Sequence, residues 1–156
     1  MKGIELRREI EAPAERVWSV ITDLDSATER LSGVERIERL GGPEFGVGTR
    51  WRETRTMFGK QATEEMEVAT VDEGQAYTVV ADSHKTHYHS ELRVEDSGGG
   101  ASVLSMSFRG EPQSLGAKLA GATVGRLFAG ATKKALRQDL DEIAAAAEAS
   151  ADAQSG

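Results

Sequence analysis

The fold is decided by residues 49–110, which read TRWRETRTMFGKQATEEMEVATVDEGQAYTVVADSHKTHYHSELRVEDSGGGASVLSMSFRG. Apolar and polar residues alternate through most of this stretch, and short glycine-containing or charged segments interrupt it four times. A period of two is typical of a half-buried strand, and connections of two or three residues join antiparallel neighbours. The stretch therefore predicts five antiparallel strands, at residues 49–58, 61–71, 76–83, 86–95 and 102–110.

The preceding segment adds strands and short helices. Residues 4–10 alternate between apolar and charged side chains, with Arg8 as the exception, and therefore predict a half-buried strand. Pro13 suits the first turn of a helix, because the N–H that proline lacks has no partner there. The segment thus predicts two short helices, at residues 14–23 and 25–31, and a further strand at residues 34–40.

The segment after Pro112 has a helical pattern as far as about residue 149, which corresponds to a helix of roughly 50 Å. Its apolar stripe, expected to pack on the sheet, consists of Val124, Phe128, Thr132, Leu136, Leu140 and Ile143. Glycines in its first half favour either close helix–sheet packing or a bend, or alternatively a loosened first half that acts as a lid. Residues 1–149 are therefore expected to form a single α+β domain with a sheet of six to seven strands, and residues 150–156 a disordered tail.

Composition limits the classes of function. A chain of 156 residues corresponds to one domain, on the prior of roughly 150 residues each. Its net charge of −7 disfavours binding to nucleic acid, and its lack of cysteine excludes disulfides, thiol catalysis and thiolate metal sites. No apolar run approaches the roughly 18 residues of a membrane span, and the charged N-terminus differs from a signal peptide. The sequence therefore predicts a cytoplasmic protein.

The hairpin connections also predict how the strands align. A two-residue turn at Gly59-Lys60 places Arg55 opposite Glu64 on the next strand, and the same rule places Thr70 opposite Tyr77. Further predicted pairs are Val68 with Val79, Leu92 with Met106, and Ser90 with Phe108. One face of the sheet then collects Trp51, Met57, Met66, Val68, Val79, Leu92, Leu104, Met106 and Phe108. A slip of one residue would invert a strand, so this agreement between strands is informative.

The apolar face also carries polar residues, namely Glu53, Arg55, Glu64, Thr70, Tyr77, Tyr88 and Ser90. An unpaired charge in a packed core costs several kcal/mol, so these groups need partners or water. Arg55 has two carboxylates within the predicted cross-strand reach, Glu64 directly opposite and Glu53 two residues along. Two interpretations stay open: an ordinary ion pair at the wet margin of the sheet, or the polar end of a cavity that binds a ligand carbonyl, hydroxyl or carboxylate.

Four segments carry a resemblance to a known superfamily: IEAPAERVW (10–18), TD (22–23), GVGTRWRE (46–53) and KALRQDLDEI (134–143). Together with the order of elements, they resemble the START-like or SRPBCC superfamily, which includes polyketide cyclase/dehydrase-like proteins and the birch-pollen-allergen helix-grip fold. The resemblance extends to about residue 149. It implies a curved antiparallel sheet wrapped around the long C-terminal helix, with a deep cavity for lipids, polyketides, steroids or other apolar metabolites, and it brings no cofactor motif.

Two departures weaken particular functions of that superfamily. Its aromatase/cyclase members share a pocket that is rich in aromatic residues. This chain has only two Trp, two Tyr and four Phe in total, which weakens a polyketide-shaping role. Its oxygenase members bind iron through two histidines and a carboxylate. The three histidines of this chain, His84, His87 and His89, are instead crowded into one short segment, which argues against that role. The predicted register puts His84 opposite His87, and His89 opposite Asp82, on the outer face. They are interpreted as surface histidines, with a zinc or nickel site as the alternative.

The sequence thus predicts binding of a small, largely apolar ligand between the sheet and the C-terminal helix, with no cofactor, no metal and no signal for an oligomeric state. The expected ligand-binding residues are Trp51, Met57, Met66, Leu92, Met106, Phe108 and Phe128 as apolar walls, and Glu53, Arg55, Glu64, Tyr77, Tyr88 and Ser90 as polar groups. One alternative is a polyketide cyclase or dehydratase that uses Glu53, Arg55 and Glu64 as catalytic residues. A second alternative is a co-chaperone-like interaction module that uses the outer face of the sheet.

Overall fold

The computed structural model describes residues 3–57, 59–83, 86–112, 130 and 132–149. Among these residues the strands are β1 (Ile4–Ile10), β2 (Val34–Gly41), β3 (Arg50–Met57), β4 (Lys60–Asp72), β5 (Ala76–Ser83), β6 (Thr86–Gly98) and β7 (Ala101–Pro112). They form one antiparallel sheet in the order β1-β7-β6-β5-β4-β3-β2. The helices are α1 (Ala14–Ile21), α2 (Ala27–Arg30), which follows a 3₁₀ turn at Leu24–Ser26, and α3, which comprises residues 132–149.

The predicted α+β architecture is confirmed: a curved seven-stranded antiparallel sheet, two short helices after the first strand and a C-terminal helix. The predicted start of that helix, including Val124 and Phe128, lies outside the described residues, and so does the predicted tail at 150–156. Within the described ranges, no helix is both long enough and apolar enough to cross a membrane.

The β3–β4 hairpin corrects the predicted register by two residues. Lys60 is the first residue of β4 and pairs with Met57, so the turn ends at Gly59 instead of containing Lys60. Gly59 has a φ of 72°, which a glycine adopts without the steric cost of a Cβ atom. Arg55 therefore does not lie opposite Glu64. Because side chains alternate with a period of two, this shift by itself moves no side chain to the opposite face.

The β5–β6 hairpin shows the same shift. Ser83 pairs with Thr86, and Asp82 consequently faces His87 and not His89. Three predicted cross-strand pairs are confirmed: Val68 with Val79, Leu92 with Met106, and Ser90 with Phe108.

A β-bulge in β4 changes the predicted inner face. The register shifts between Val68 and Thr70, so that Thr70 faces Thr78, and Val71 takes the place opposite Tyr77. A bulge inserts one extra residue and inverts the alternation beyond it. Thr70 is therefore exposed and not on the inner face, whereas Val71 packs against the core.

The core lies between the inner face of the sheet and the helices. The buried cluster unites side chains from the sheet with one face of α3, namely Leu6, Ile10, Trp51, Val68, Tyr77, Val79, Leu92, Val94, Leu104 and Met106 with Leu140, Ile143, Ala144 and Ala147. The α3 members recur every three or four residues, which is the period of a helix face.

Polar contacts fix α3 against the rest of the molecule. Arg8, the exception to the alternation in β1, forms an ion pair with Asp141 at 3.0 Å. The backbone N–H and the hydroxyl of Ser32, between α2 and β2, both donate to the Glu142 carboxylate at 3.0 Å. These contacts hold α3 at a defined rotation, which determines the side chains it presents to the sheet.

Candidate ligand-binding site

A cavity of about 170 Å³ lies between the sheet, the segment from α1 to α2, and α3. Its apolar lining consists of Val20, Ile21, Leu24, Ala27 and Leu31 from the helical segment, Ile37, Trp51, Met66, Tyr77, Val79, Leu92, Met106 and Phe108 from the strands, and Leu136 and Ile143 from α3. A cavity of roughly 150 Å³ is large enough for benzene. The space therefore suits a compact ligand of about one ring.

A charged cluster from two elements lines this cavity. Both carboxylate oxygens of Asp139, in α3, accept hydrogen bonds from Nη1 of Arg55, in β3, at 3.1 and 2.9 Å. Nε of Arg55 also donates to Glu53 at 3.4 Å, and the indole Nε1 of Trp51 donates to the other oxygen of Glu53 at 3.4 Å. The side chains of Arg55, Glu53 and Asp139 are only 21%, 14% and 7% exposed. The cluster thus contains two buried carboxylates and one guanidinium.

Burial and charge change the pKa values in this cluster. Burial raises the pKa of Asp139 to about 6, against the opposing effect of Arg55. Burial opposes the charge of Arg55, but the carboxylates of Asp139 and Glu53 outweigh it and raise the pKa of that guanidinium. Burial, with a contribution from the charge of Glu53, also raises the pKa of Tyr77. Asp139 is therefore a carboxyl group that titrates close to neutral pH inside the cavity.

A second ion pair closes the helical side of the cavity. Arg30 contacts Asp23 at 2.6 Å and donates to the carbonyl oxygen of Val20 at 2.8 Å. Burial opposes the charge of Asp23, but hydrogen bonds from Arg30 and Ser26 lower the pKa of its carboxyl group. This pair joins the end of α1 to α2 and therefore fixes the helical wall of the cavity.

Tyr77 connects the helical wall to the sheet. Its hydroxyl donates to the carbonyl oxygen of Ile21 at 2.9 Å, which ties the end of α1 to β5. Its ring makes edge contacts with Trp18 and with Phe45, at centroid distances of 5.9 and 4.9 Å. Because Phe45 belongs to the β2–β3 loop, Tyr77 joins that loop, α1 and the cavity wall.

The structure brings nine of the predicted site residues to the cavity: Trp51, Glu53, Arg55, Met66, Tyr77, Ser90, Leu92, Met106 and Phe108. Glu64 is not among the described lining residues. In the strand register it lies opposite Glu53 and not, as predicted, opposite Arg55. Tyr88 also is not among them, and its ring stacks on Phe108 at a centroid distance of 5.4 Å. Phe128 and the side chain of Met57 lie outside what the structure describes.

Sequence reasoning missed Asp139 as a site residue. Asp139 follows Leu136 by three positions and precedes Ile143 by four, so it falls on the apolar stripe of α3. A carboxylate on the packed face of a helix needs a cation opposite. The position of Asp139 on the apolar stripe is therefore the sequence signal that identifies it as a site residue. Asp23 and Arg30 were also missed, because the short segment that runs from the end of α1 to the end of α2 gives no comparable pattern.

His87 and His89 lie on the other face of the sheet. Nδ1 of His87 contacts Asp82 at 2.6 Å, and the rings of His87 and His89 meet edge to face at 4.6 Å. His84 falls outside the described residues. Among the residues that are described, no group of three or more acidic or histidine side chains is arranged to hold a metal ion.

Comparisons with known proteins agree with this architecture. A family model described as polyketide cyclase/dehydrase and lipid transport matches residues 1–148. No curated protein matches the sequence.

Three solved structures share the fold at low sequence identity. TTHA0849 from Thermus thermophilus is 18% identical, with a TM-score of 0.79 over 96% of this chain and 99% of that chain. The ZhuI aromatase/cyclase from Streptomyces sp. R1128 is 17% identical, with a TM-score of 0.69 over 94% and 93%. Truncated norcoclaurine synthase from Thalictrum flavum is 20% identical, with a TM-score of 0.73 over 92% and 91%. Because the family model covers almost the whole sequence, the chain belongs to the polyketide cyclase/dehydrase and lipid transport family.

Proposed function

We propose that the protein binds a small, largely apolar metabolite in the cavity between the sheet, the α1–α2 segment and α3. The observation that carries this proposal is the cavity itself, with apolar walls and one charged cluster. Small-molecule sites usually combine apolar walls with a few polar groups that orient the ligand. Membership of a family described by both cyclase/dehydrase activity and lipid transport supports the same function.

The cavity walls explain why an apolar body would bind there. Removing apolar surface from water yields about 25 cal/mol per Å², so a single ring in contact with Leu92, Met106 and Phe108 gains several kcal/mol. Ser90 lies between Val79 and Phe108 in the strand register, and this small side chain leaves room between larger neighbours. The site would therefore select by size as well as by polarity.

Titration with toluene tests this function. The chain has two tryptophans, and of these Trp51 lines the cavity whereas Trp18 is not among the described lining residues. Toluene is expected to shift the indole N–H signal of Trp51 in NMR spectra, saturably and more strongly than the signal of Trp18. Absence of a saturable shift at Trp51 would contradict the proposal.

A pair of substitutions in β4 localises the binding. Met66→Trp would fill part of the cavity and is expected to weaken toluene binding at least tenfold. Glu67→Trp is the matched control, because Glu67 is an exposed neighbour on the opposite face of the same strand. Equal losses in both variants would contradict binding in the cavity. A second cavity-filling variant, Ser90→Leu, serves if Met66→Trp does not fold.

One observation favours a second candidate function, a cyclase or dehydratase-type reaction. General acid–base catalysis works best with a pKa near the operating pH, and burial raises the pKa of Asp139 to about 6 in the cavity. The probe is a linear poly-β-ketone thioester, and mass spectrometry monitors the loss of one water molecule from it. Catalysis is supported if the wild type forms the product and Asp139→Asn binds the thioester without forming it. Catalysis is contradicted if the wild type binds the thioester and forms no product.

A further inference from the structure

Negatively charged side chains outnumber positively charged ones in the described lining of the cavity. The acidic and basic residues among its described lining are three carboxylates and two guanidiniums, namely Asp23, Glu53, Asp139, Arg30 and Arg55. With all five ionised, their summed charge is one negative unit. A ligand that enters this low-dielectric space therefore meets an excess of negative charge.

Both guanidiniums are already engaged by protein groups. Arg30 is held by Asp23 and by the carbonyl oxygen of Val20. Arg55 is held by both oxygens of Asp139 and, at longer distance, by Glu53. A ligand carboxylate would have to displace one of these partners. The arrangement disfavours the anionic ligand that the sequence left open.

Glu53 is the group whose charge is least compensated. Its two hydrogen-bond contacts within the described chain, from Trp51 and Arg55, are both 3.4 Å long. Good N–H···O hydrogen bonds are about 2.7–3.2 Å long, and a carboxylate has roughly four acceptor positions. With 14% of its side chain exposed, Glu53 also receives little help from bulk water. It is a buried acceptor with capacity for a further donor.

We propose that the ligand of this cavity carries one cationic nitrogen group, such as a protonated amine, on a compact apolar body, and that this group binds at Glu53. The inference rests on the proposed ligand-binding function. The ammonium group donates its N–H bonds to Glu53 and neutralises the excess negative charge. The rings of Trp51 and Tyr77 line the same space, and aromatic faces attract cations. The apolar remainder occupies the space beside Leu92 and Met106.

Four probes with one carbon skeleton test this inference on the full chain. They are toluene, benzyl alcohol, benzylamine and benzoate, titrated at about pH 7.5 with the Trp51 indole signal as the readout. Benzylamine is expected to bind at least tenfold more tightly than benzyl alcohol, and benzoate more weakly than either.

Substitution of one carboxylate assigns the preference to a residue. Glu53→Gln keeps the shape of the side chain and removes its charge, and we expect benzylamine to bind this variant within about threefold of benzyl alcohol. Glu65→Gln is the matched control, because Glu65 is an exposed glutamate that contacts Arg52 on the outer face. The control is expected to retain the full preference for the amine.

The possible results separate the two proposals. Toluene binding with no preference for benzylamine, or with benzoate bound most tightly, overturns the cationic ligand and leaves the binding function standing. No saturable binding of any probe overturns both. An amine preference that survives Glu53→Gln overturns the assignment to Glu53.

The preference for the amine also has a predicted pH dependence. Burial raises the pKa of Asp139 to about 6; Arg55 acts to lower this pKa, and Glu53 and Glu142 act to raise it. Glu64, on β4, lies opposite Glu53 in the strand register. Protonation of Asp139 removes one negative charge and leaves Arg55 to compensate Glu53. The preference is therefore expected above pH 6 and is lost as the pH falls through that value, whereas toluene binding stays constant. A preference that is unchanged at about pH 5 would contradict this coupling.

Discussion

Arg55 is the residue on which the polar end of the cavity depends. It is largely buried and separates the carboxylates of Glu53 and Asp139, which come from β3 and α3. Removing one partner of a buried ion pair leaves uncompensated charge, which is far more costly than losing an exposed pair. The same residue therefore sets the local electrostatics and contributes to the position of α3.

Arg55→Met is expected to lower the free energy of unfolding by roughly 3 kcal/mol, near the lower end of the range for a broken buried pair because 21% of the Arg55 side chain is exposed. Arg52→Met is the matched control in the same strand, since Arg52 contacts Glu38 and Glu65 on the outer face. Urea unfolding of both variants at neutral pH measures the difference. Equal effects of the two substitutions would contradict a special role for Arg55.

Asp139 predicts how stability varies with pH. Its pKa is raised from 3.8 to about 6 in the folded state, so the folded protein binds more protons than the unfolded chain between those values. Stability from this group is therefore full below about pH 4 and is lost as the pH rises through 6, by about 3 kcal/mol. The expected sign is opposite to that of a typical salt-bridged carboxylate.

Asp139→Asn is expected to remove this decrease in stability between about pH 4 and pH 7, because the amide does not titrate. Asp141→Asn is the control, since the side chain of Asp141 is 59% exposed and lies in the same helix. Urea titrations at several pH values provide the measurement. A rise in the stability of the wild type across this interval that Asp139→Asn abolishes would contradict the account.

The residue types of the polar cluster were predictable, but its full membership was not. Alternation placed Glu53 and Arg55 on the inner face, because the faces of a strand follow from its period alone. Of the two carboxylates predicted near Arg55, Glu53 contacts it, whereas Glu64 does not lie opposite it. The partner that was not predicted is Asp139, 84 positions away. Such a contact depends on the rotation and position of α3 over the sheet, which the periodicity of either element does not determine.

At the scale of elements, the loop between β2 and β3 shows how a short segment supports a wall of the cavity. Thr49 is fully buried, and its hydroxyl donates to the carbonyl oxygen of Pro43 and accepts from the N–H of Gly46, both at 2.9 Å. Gly42 has a φ of 85°, and a Cβ atom there would overlap the carbonyl oxygen of Gly48. The loop is thus held in a tight conformation that keeps Phe45 against Tyr77.

Thr49→Val is expected to lower the free energy of unfolding by about 1–2 kcal/mol, because it leaves the part-buried N–H of Gly46 and carbonyl of Pro43 without their partner. Thr54→Val is the matched control, since the Thr54 hydroxyl lies at the surface and contacts only Thr63 among the described residues. Chemical denaturation compares the two. A Thr49→Val protein as stable as the wild type would contradict the proposed loop support.

The elements themselves were largely predictable, whereas the details of the hairpins were not. The turns at Gly59 and after Ser83 each lie one residue earlier than the pattern indicated. At the first of them the reason is that glycine suits more than one position of a two-residue turn. The bulge between Val68 and Thr70 carried no sequence signal, and it moved Thr70 to the outer face. Each difference is local, and none changes the order of the strands.

At the scale of the whole molecule, the strand order joins β1 to β7 and leaves β1 and β2 as the two edges of a curved sheet. The sheet and the terminal helix were predicted from alternation, turn residues and the apolar stripe, together with the family resemblance. The size of the cavity was not predictable, because it depends on how closely the α1–α2 segment and α3 approach the sheet. That separation is a property of the assembled molecule.

The central claim is that an apolar cavity with an inward-facing charged cluster lies between sheet and helices, and a crystal structure under xenon pressure tests it most directly. Xenon enters apolar cavities of this size without specific chemistry. The account predicts xenon density beside Leu92 and Met106, with Arg55 hydrogen-bonded to Asp139. Side chains that fill this space completely, or Arg55 directed into bulk solvent, would contradict it.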